Sequence, residues 1–301
     1  MKQQAKGQIN ERIIAIPNAW HPVYIVRGEK KNLMIDGGVN LLGPRYLTSI
    51  KDIFGNTDQL HYLFLTHSHY DHVGSAHYLK RHIPGLVIGA HERVAGLLNK
   101  PSVLEMMNRL SGNHVELLKY NTAGEDLTLR PFEINFPLKQ GDEFDLGELT
   151  CCVYEVPGHT RDSLAFYIPE IKTLFAGEAC GVLQGETMSM MQVEFLSSYQ
   201  AYIYSLELMI SLQPEILCLG HGWVLTHEDA ATFLKHSLAE TFRYRELIES
   251  YLDAAAGDVE KAIRDMVHTE YDIKGGIFQE KVAYMTNLNA QVKHIAGLRN
   301  D

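Results

Sequence analysis

Four potential metal ligands lie within six positions of the chain, in the stretch Thr66-His67-Ser68-His69-Tyr70-Asp71-His72. Imidazole and carboxylate groups are costly to bury unless they are hydrogen-bonded or coordinated, so packing alone does not explain their density here. The apolar run at 61–66 predicts a buried strand, and the apolar spacing at 71–82 predicts a helix. The cluster therefore follows a strand and precedes a helix, which is a common position for a ligand site in an α/β sheet.

The spacing within this cluster predicts two adjacent metal positions. In an extended loop, the side chains at positions i and i+2 point the same way, so His67 and His69 can hold one ion. Asp71 and His72 lie where the chain turns into the helix and can hold a second ion nearby. A surface loop that is merely rich in histidine is the alternative, since the chain has 15 His. The complete motif between a strand and a helix favours the metal site.

Three more candidate ligands follow predicted strands further along the chain, and each lies beside a glycine. They are His159 after 151–156, Glu178 after 173–176 and His221 after 215–219. Glycine lets the backbone turn sharply and approach a site closely, which suits ligands carried at strand ends. A single Gly-His pair is usually only a loop histidine, whereas this order after the first cluster indicates one shared metal centre.

These motifs, spread from about residue 23 to about residue 227, resemble those of metallo-β-lactamase-fold hydrolases. The resemblance implies an α/β protein of the αββα sandwich type, here with a helical C-terminal extension. It also implies two divalent metal ions, with zinc expected first and iron or manganese as alternatives, since the ligands include no thiolate. The implied ligands are His67, His69 and His159 at the first site, Asp71, His72 and His221 at the second, and Glu178 as the bridging carboxylate.

Two further positions acquire roles from this resemblance. The turn that ends 33–38 resembles an Asp-x-Gly turn of the family, which implies that Asp36 supports a ligand rather than binding metal itself. A plain turn aspartate is the alternative. At position 178 the family normally has Asp. The extra methylene of Glu178 moves the carboxylate outward and adds a rotatable bond, so it can bridge, bind one ion, or weaken the second site.

The chemistry expected from this resemblance is hydrolysis. Two ions about 3.5–4 Å apart can share a bridging hydroxide, and Asp71 would be the catalytic residue that orients it and relays its proton. The expected substrate is a small-molecule ester, thioester or lactone, and the residues that bind it are not identified. Alternatives are a small-molecule phosphodiesterase, a mononuclear iron sulfur dioxygenase, and a regulatory or scaffold protein with a retained but weakly active metal site. The presence of His72 and His221 disfavours the mononuclear enzyme.

The composition of the chain disfavours nucleic acid and membranes as partners. The 301 residues are 46% hydrophobic and carry a formal net charge of −10, which disfavours nucleic acid because no basic track would neutralise phosphates. No run of about 18 apolar residues and no basic amphipathic helix is present, so no membrane partner is expected. The N-terminal residues lack the apolar core of a secretion signal, which predicts a cytoplasmic protein. The four cysteines are predicted to be reduced thiols.

The pattern along the chain predicts two domains. An α/β domain is expected at 1–226, with a helical insertion at about 100–122, and a helical extension that caps the site or mediates contacts at 227–301. The segment 181–195 is predicted to be a loop. Its Met188, Met190, Met191 and Phe195 could line a substrate pocket, with core filling or a homodimer contact as alternatives. Arg243, Tyr244 and Arg245 could bind an anionic part of a substrate, with a solvated helix face as the alternative.

Overall fold

The computed structural model describes residues 1–18, 20–121, 123–184, 190–277 and 279–299. The strands are β1 Lys2–Gln4, β2 Gly7–Gln8, β3 Ile13–Ile16, β4 Val23–Arg27, β5 Asn32–Ile35, β6 Leu60–Phe64, β7 Val87–His91, β8 Phe136–Leu138, β9 Glu143–Asp145, β10 Thr150–Glu155, β11 Leu164–Ile168, β12 Thr173–Gly177, β13 Val182–Gln184, β14 Met190–Gln192, β15 Ile216–Leu219 and β16 Trp223–Thr226.

The α-helices are α1 Gly43–Phe54, α2 Tyr70–Val73, α3 Ala76–His82, α4 Glu92–Leu98, α5 Pro101–Gly112, α6 Tyr199–Ser211, α7 Glu228–Ala254, α8 Val259–Met266 and α9 Lys281–Leu298. Short 3₁₀-helices cover Asn40–Leu42, Val115–Tyr120 and Pro169–Ile171, and a π-helix covers Val267–Ile273. The predicted helical insertion therefore consists of α5 and the 3₁₀-helix that follows it.

The chain divides into two compact units. The first unit consists of Met1–Glu155, Asp162–Gly177 and Pro214–His227. The second unit consists of Val156–Arg161, Glu178–Gln213 and Glu228–Asp301. The second unit thus contains two earlier segments in addition to the predicted C-terminal extension.

The first unit contains two seven-stranded sheets that pack face to face. One has the order β2-β3-β4-β5-β6-β7-β8, and the other has the order β1-β16-β15-β12-β11-β10-β9. Phe64 on β6 meets rings of the opposite sheet, with centroid distances of 4.7 Å to Phe144 and 5.7 Å to Phe166. Such aromatic contacts bury large apolar areas, so the two inner faces share one core.

Helices cover the outer face of the sheet that contains β6. Successive side chains of a strand point to opposite faces, so Leu63 points away from the core that holds Phe64. Leu63 belongs to a second buried cluster, which includes Ile50 of α1 and Leu79 of α3. The apolar run before the metal motif is therefore a strand that is buried on both faces, as its sequence predicts.

The prediction of one continuous helix at 71–82 was wrong. The segment consists of α2 and α3, with a break at residues 74–75. The cause is pairing with the Asp36–Gly37 turn. The carbonyl of His72 accepts from the amide of Gly37 at 2.6 Å, and the amide of Ser75 donates to the carbonyl of Gly37 at 3.2 Å. These long-range bonds replace bonds that would continue a single helix.

The second unit is built from α6, α7, α8 and α9 with a short hairpin. Strands β13 and β14 pair antiparallel, so the prediction of a loop throughout 181–195 was wrong. Phe195 is fully buried and packs against Tyr199 and Tyr202, with ring centroids 5.4 and 6.3 Å apart. It is therefore a core residue of this unit rather than a pocket wall. Met188 lies outside the described residues.

The state of the cysteines and the character of the helices can be compared with the predictions from composition. The four cysteines are free thiols, and Cys151, Cys180 and Cys218 are buried. Burial raises the pKa of each of these three thiols above its usual range. Within the described ranges, none of the helices has both the length and the apolar character needed to cross a bilayer.

Candidate metal centre

Asp36 connects the end of β5 with the motif that follows β6. Its carboxylate accepts from the backbone amide of Thr66 at 2.7 Å and from the hydroxyl of Thr66 at 2.9 Å. It also lies 2.8 Å from Nδ1 of His72. An ionised carboxylate can only accept, so Nδ1 of His72 donates and Nε2 carries the lone pair. Asp36 thus supports a predicted ligand, as its place in the motif predicts.

Thr66 holds the ring of His67 in the same manner. Its hydroxyl oxygen lies 3.0 Å from Nδ1 of His67. A hydroxyl has one hydrogen to donate, and this hydrogen is directed to Asp36, so the hydroxyl oxygen accepts from Nδ1 of His67. Nε2 of His67 is consequently left with the lone pair that a metal ion could accept.

His221 follows β15 on a turn that places it close to His72. Nδ1 of His221 donates to the carbonyl of Trp20 at 2.7 Å, which leaves Nε2 as the lone-pair nitrogen. A Cβ added to Gly220 would lie 3.0 Å from the backbone of Gly177 and 3.1 Å from the His72 ring. Glycine at position 220 therefore avoids tight contacts where the strand ends approach each other.

The predicted ligands of the first unit form one cluster of rings. The ring centroid of His67 lies 4.6 Å from that of His69 and 4.1 Å from that of His72. The rings of His72 and His221 are 5.3 Å apart. Nε2 of His221 lies 3.3 Å from Oδ2 of Asp71. The structure therefore brings together the five predicted ligands that this unit contains.

The second unit contains the other two predicted ligands, and they touch each other. Nε2 of His159 lies 2.8 Å from Oε2 of Glu178. Nδ1 of His159 donates to the backbone carbonyl of Glu194 at 2.8 Å. The turn that carries His159 requires glycine at 158, because φ there is 130° and an added Cβ would lie 2.4 Å from the backbone of Tyr202. The Glu at position 178 therefore reaches an imidazole directly.

The C-terminal helix α9 holds the segment that orients His159. Asn287 donates to the carboxylate of Glu194 at 3.1 Å, and Gln291 donates to the carbonyl of Val193 at 2.8 Å. The carbonyl of Glu194 is the acceptor for His159. The helical extension therefore fixes the orientation of a predicted ligand from within its own unit.

The donor set fits divalent metal ions. An oxygen atom holds Nδ1 in each of four predicted ligands, His67, His72, His159 and His221. Metal-binding histidines nearly always donate their other ring nitrogen to a carboxylate, carbonyl or water, because this fixes the tautomer and the ring orientation. Nitrogen and carboxylate donors without thiolate suit zinc and also iron or manganese.

Two histidines of the first unit adjoin this cluster and were missed from the sequence. His21 offers a ligand atom within 4.8 Å of those of Asp71 and His221. His114, at the start of the 3₁₀-helix in the insertion, lies 3.0 Å through Nε2 from the hydroxyl of Tyr70. Burial, followed by the charge of His221, lowers the pKa of His21 from the usual 6.5 to about 3, so its ring is neutral. Neither histidine lies in a motif, so no local signal indicated them.

The basic residues proposed to bind an anionic substrate are engaged with other groups. Arg243 pairs with Glu240, and Arg245 donates to Glu249 at 2.8 Å. The hydroxyl of Tyr244 donates to Gln291 at 3.2 Å inside the second unit. The two arginines therefore have the ion pairs of a solvated helix face, the alternative interpretation of this sequence, whereas Tyr244 lies inside the unit.

A family model for the metallo-β-lactamase superfamily matches residues 21–221. Because this match covers more than half of the chain, the protein belongs to the metallo-β-lactamase superfamily. The match begins at His21 and ends at His221, so it includes all the predicted metal ligands.

Several related proteins are similar over part of the chain. A metallo-β-lactamase fold-containing protein of Sulfurisphaera tokodaii is 27% identical over 218 residues, 72% of this chain and 78% of that protein. The acyl-coenzyme A thioesterase MBLAC2 of Homo sapiens is 26% identical, covering 59% of this chain and 63% of the thioesterase. A hydroxyacylglutathione hydrolase of Bradyrhizobium is 29% identical, covering 43% of this chain and 39% of the hydrolase. The chain therefore spans less than two thirds of these two enzymes.

Solved structures agree in fold. A metallo-β-lactamase family protein of Thermus thermophilus matches with a TM-score of 0.65 and 17% identity, over 96% of this chain and 92% of that chain. A subclass B3 metallo-β-lactamase of Bradyrhizobium japonicum matches with a TM-score of 0.55 and 16% identity, over 81% of this chain and 92% of that chain. The predicted α/β fold, a metallo-β-lactamase-type αββα sandwich with a helical C-terminal extension, is confirmed.

The superfamily, together with the related thioesterase and hydroxyacylglutathione hydrolase, indicates that the protein is a hydrolase.

Asp36→Asn should weaken metal binding without removing a ligand. One carboxylate oxygen becomes an amide nitrogen, so the variant cannot accept from both Thr66 and Nδ1 of His72 as Asp36 does. We expect a loss of about 10- to 100-fold in affinity for one of the ions, as for other residues that orient metal ligands. Competition with a chromophoric zinc chelator measures this loss. Asp52→Asn, on the exposed side of α1, is the control and should bind zinc like the wild type.

Proposed function

We propose that the protein is a dinuclear metal-dependent hydrolase that cleaves a small-molecule thioester, with esters and lactones as neighbouring substrate classes. One observation carries this proposal: an oxygen atom holds Nδ1 in each of four predicted ligands, His67, His72, His159 and His221. Four imidazoles prepared in this way are hard to explain in a protein that no longer binds metal. A buried ring nitrogen is costly when neither a hydrogen bond nor a metal ion satisfies it, and fixing Nδ1 directs the lone pair of Nε2 to a position where a metal ion can do so.

The proposed ligand sets are those that the motif predicts. His67, His69 and His159 would hold the first ion, and Asp71, His72 and His221 the second. Glu178 would bridge the two ions, which its reach to His159 supports. Zinc is the proposed metal, with iron or manganese as alternatives for the same donors.

Side chains of the protein have separate tasks in the proposed reaction. When bound, two divalent ions would lower the pKa of a shared water and polarise the scissile carbonyl group. Asp71, whose carboxylate lies 3.3 Å from Nε2 of His221, would orient the attacking water and take up its proton on a carboxylate oxygen. Asp36 keeps the ring of His72 in one orientation throughout the cycle. Groups that are already oriented lower the activation barrier of hydrolysis, because the side chains need not rearrange during the reaction.

The substrate class is proposed from the relatives. The acyl-coenzyme A thioesterase and the hydroxyacylglutathione hydrolase both act on acyl derivatives of a thiol. The feature that these two names share is therefore the thioester bond. The net charge of −10 supports a small-molecule substrate over a nucleic acid.

Metal removal should abolish thioester hydrolysis. Treatment with dipicolinate followed by desalting should lower kcat/KM for acyl-coenzyme A substrates by roughly a thousand-fold, because Lewis-acid activation supplies several kcal/mol of transition-state stabilisation. Addition of zinc, iron or manganese to the apo protein should restore the rate. The measurement is release of free thiol across acetyl-, butyryl- and palmitoyl-coenzyme A, with a p-nitrophenyl ester, a lactone and a phosphodiester in parallel.

Three results would contradict this proposal. Thiol release that survives metal removal would exclude a metal-dependent reaction. Phosphodiester cleavage faster than thioester cleavage would favour the phosphodiesterase alternative. The absence of hydrolysis in every metal-loaded form would favour the regulatory or scaffold alternative.

A further inference from the structure

His21 is a buried histidine with an unsatisfied ring nitrogen. It precedes β4, and only 5% of its surface is exposed. Among the described residues, Nδ1 of His21 has no hydrogen-bond partner. A buried polar atom without a partner costs free energy, and such atoms are rare unless they have a function. The position of this nitrogen therefore requires an explanation.

The surroundings of His21 consist of metal-ligand side chains. A ring nitrogen of His21, a carboxylate oxygen of Asp71 and a ring nitrogen of His221 all lie within 4.8 Å of one another. The ring of His21 meets that of His221 edge-on, with centroids 5.9 Å apart and an interplanar angle of 83°. Three donors this close together can converge on a single ion.

The backbone at His21 is already part of the site. The carbonyl of Trp20, the preceding residue, accepts from Nδ1 of His221. One short segment therefore orients His221 and places a second imidazole beside it. The ring of His114 also meets that of His21 edge-on, with centroids 5.0 Å apart and an interplanar angle of 80°.

We propose that His21 is an additional protein ligand of the second metal site, where it converges with Asp71 and His221. This proposal rests on the proposed dinuclear function. Imidazole and carboxylate donors of this kind suit zinc, iron and manganese. A further imidazole would retain the second ion at a site whose bridging residue is Glu178 in place of the usual Asp.

Direct observation of the metal–ligand bond tests this assignment. The full-length apo protein is loaded with ¹¹³Cd, and scalar couplings between ¹¹³Cd and histidine ring protons are recorded by NMR. We expect the ring protons of His21 to correlate with the same ¹¹³Cd resonance as those of His221. Two ¹¹³Cd resonances without any coupling to His21 would overturn the His21 assignment alone. Fewer than two resonances would overturn the dinuclear function and this assignment with it.

Zinc affinity provides a second test that does not depend on activity. His21→Gln, which keeps a side chain of similar size, should weaken binding of the second ion by at least about 10-fold, since even residues that only orient ligands have effects of that size. Occupancy of the first site, measured in the same titration, should be unchanged and shows that the variant is folded. His82→Ala is the control, because His82 is partly exposed and lies 3.2 Å from Glu125. Equal affinities in His21→Gln and the wild type would contradict the proposal.

Discussion

Asp71→Asn should lower kcat on the best thioester substrate by about a thousand-fold, which is within the range for loss of a general acid–base group. Asparagine has nearly the same shape as aspartate, but it carries no charge and cannot hold the proton of the attacking water. The carboxylate of Asp71 lies 3.3 Å from Nε2 of His221, so the substitution also removes negative charge from the second site. The rate should be measured at saturating zinc, which separates the loss of proton transfer from weaker metal binding.

The same substitution should have little effect on folding. The free energy of unfolding should change by about 1 kcal/mol or less, since no apolar group is removed and the volume is conserved. Asp58→Asn is the matched control, because Asp58 is exposed and lies before β6, outside the motif. If metal-saturated Asp71→Asn retains more than about a tenth of the wild-type kcat, Asp71 does not have the role proposed here.

Glu178→Gln should produce the second large effect. It keeps the length of the side chain but removes the charge that a bridging ligand needs. We expect one ion to be lost, and kcat/KM to fall by about 100- to 1,000-fold, comparable to the loss of other major electrostatic contributions in active sites. Glu207→Gln, on an exposed position of α6, should leave both properties unchanged. Metal content and thioester hydrolysis are measured on the same preparations.

Glu178→Asp separates charge from reach. The carboxylate of Glu178 lies 2.8 Å from Nε2 of His159, so removal of one methylene would draw it back from this contact. We expect a loss of about 10-fold or more in kcat/KM, because a misplacement of about 1 Å in a positioned group is costly. A rate above that of the wild type would show that the longer side chain limits the site. A protein that acts only as a scaffold would bind its partner equally well with any residue at position 178.

Much of the candidate metal centre could be proposed from the sequence because its signals are local. The motif 66–72 combines ligand spacing with a change from strand to helix, and both are properties of neighbouring residues. The glycines beside His159 and His221 are also visible as local patterns, although their structural reason is the approach of other segments, with an added Cβ 2.4 Å from the backbone of Tyr202 at position 158 and 3.0 Å from that of Gly177 at position 220. The support that Asp36 gives to His72 was predicted from the turn that ends β5.

The remaining features depend on contacts between distant segments. The break between α2 and α3 arises because the Asp36–Gly37 turn bonds to the backbone of the motif, which no local pattern reveals. The acceptors for His159 and His221 are backbone carbonyls of Glu194 and Trp20, and a carbonyl has no signature in the sequence. His21 is a single histidine before an ordinary strand. Its proximity to Asp71 and His221 becomes visible only when the sheets are assembled.

Metal content tests the central claim most directly. The protein is purified without a metal-affinity tag and analysed for zinc, iron and manganese by elemental analysis, with His69→Ala prepared in parallel. About two ions per chain in the wild type, with loss of metal in His69→Ala, are expected from a site that holds a pair of divalent ions. One ion or none in the wild type, or equal metal in the two proteins, would contradict the proposal that these histidines form a dinuclear centre.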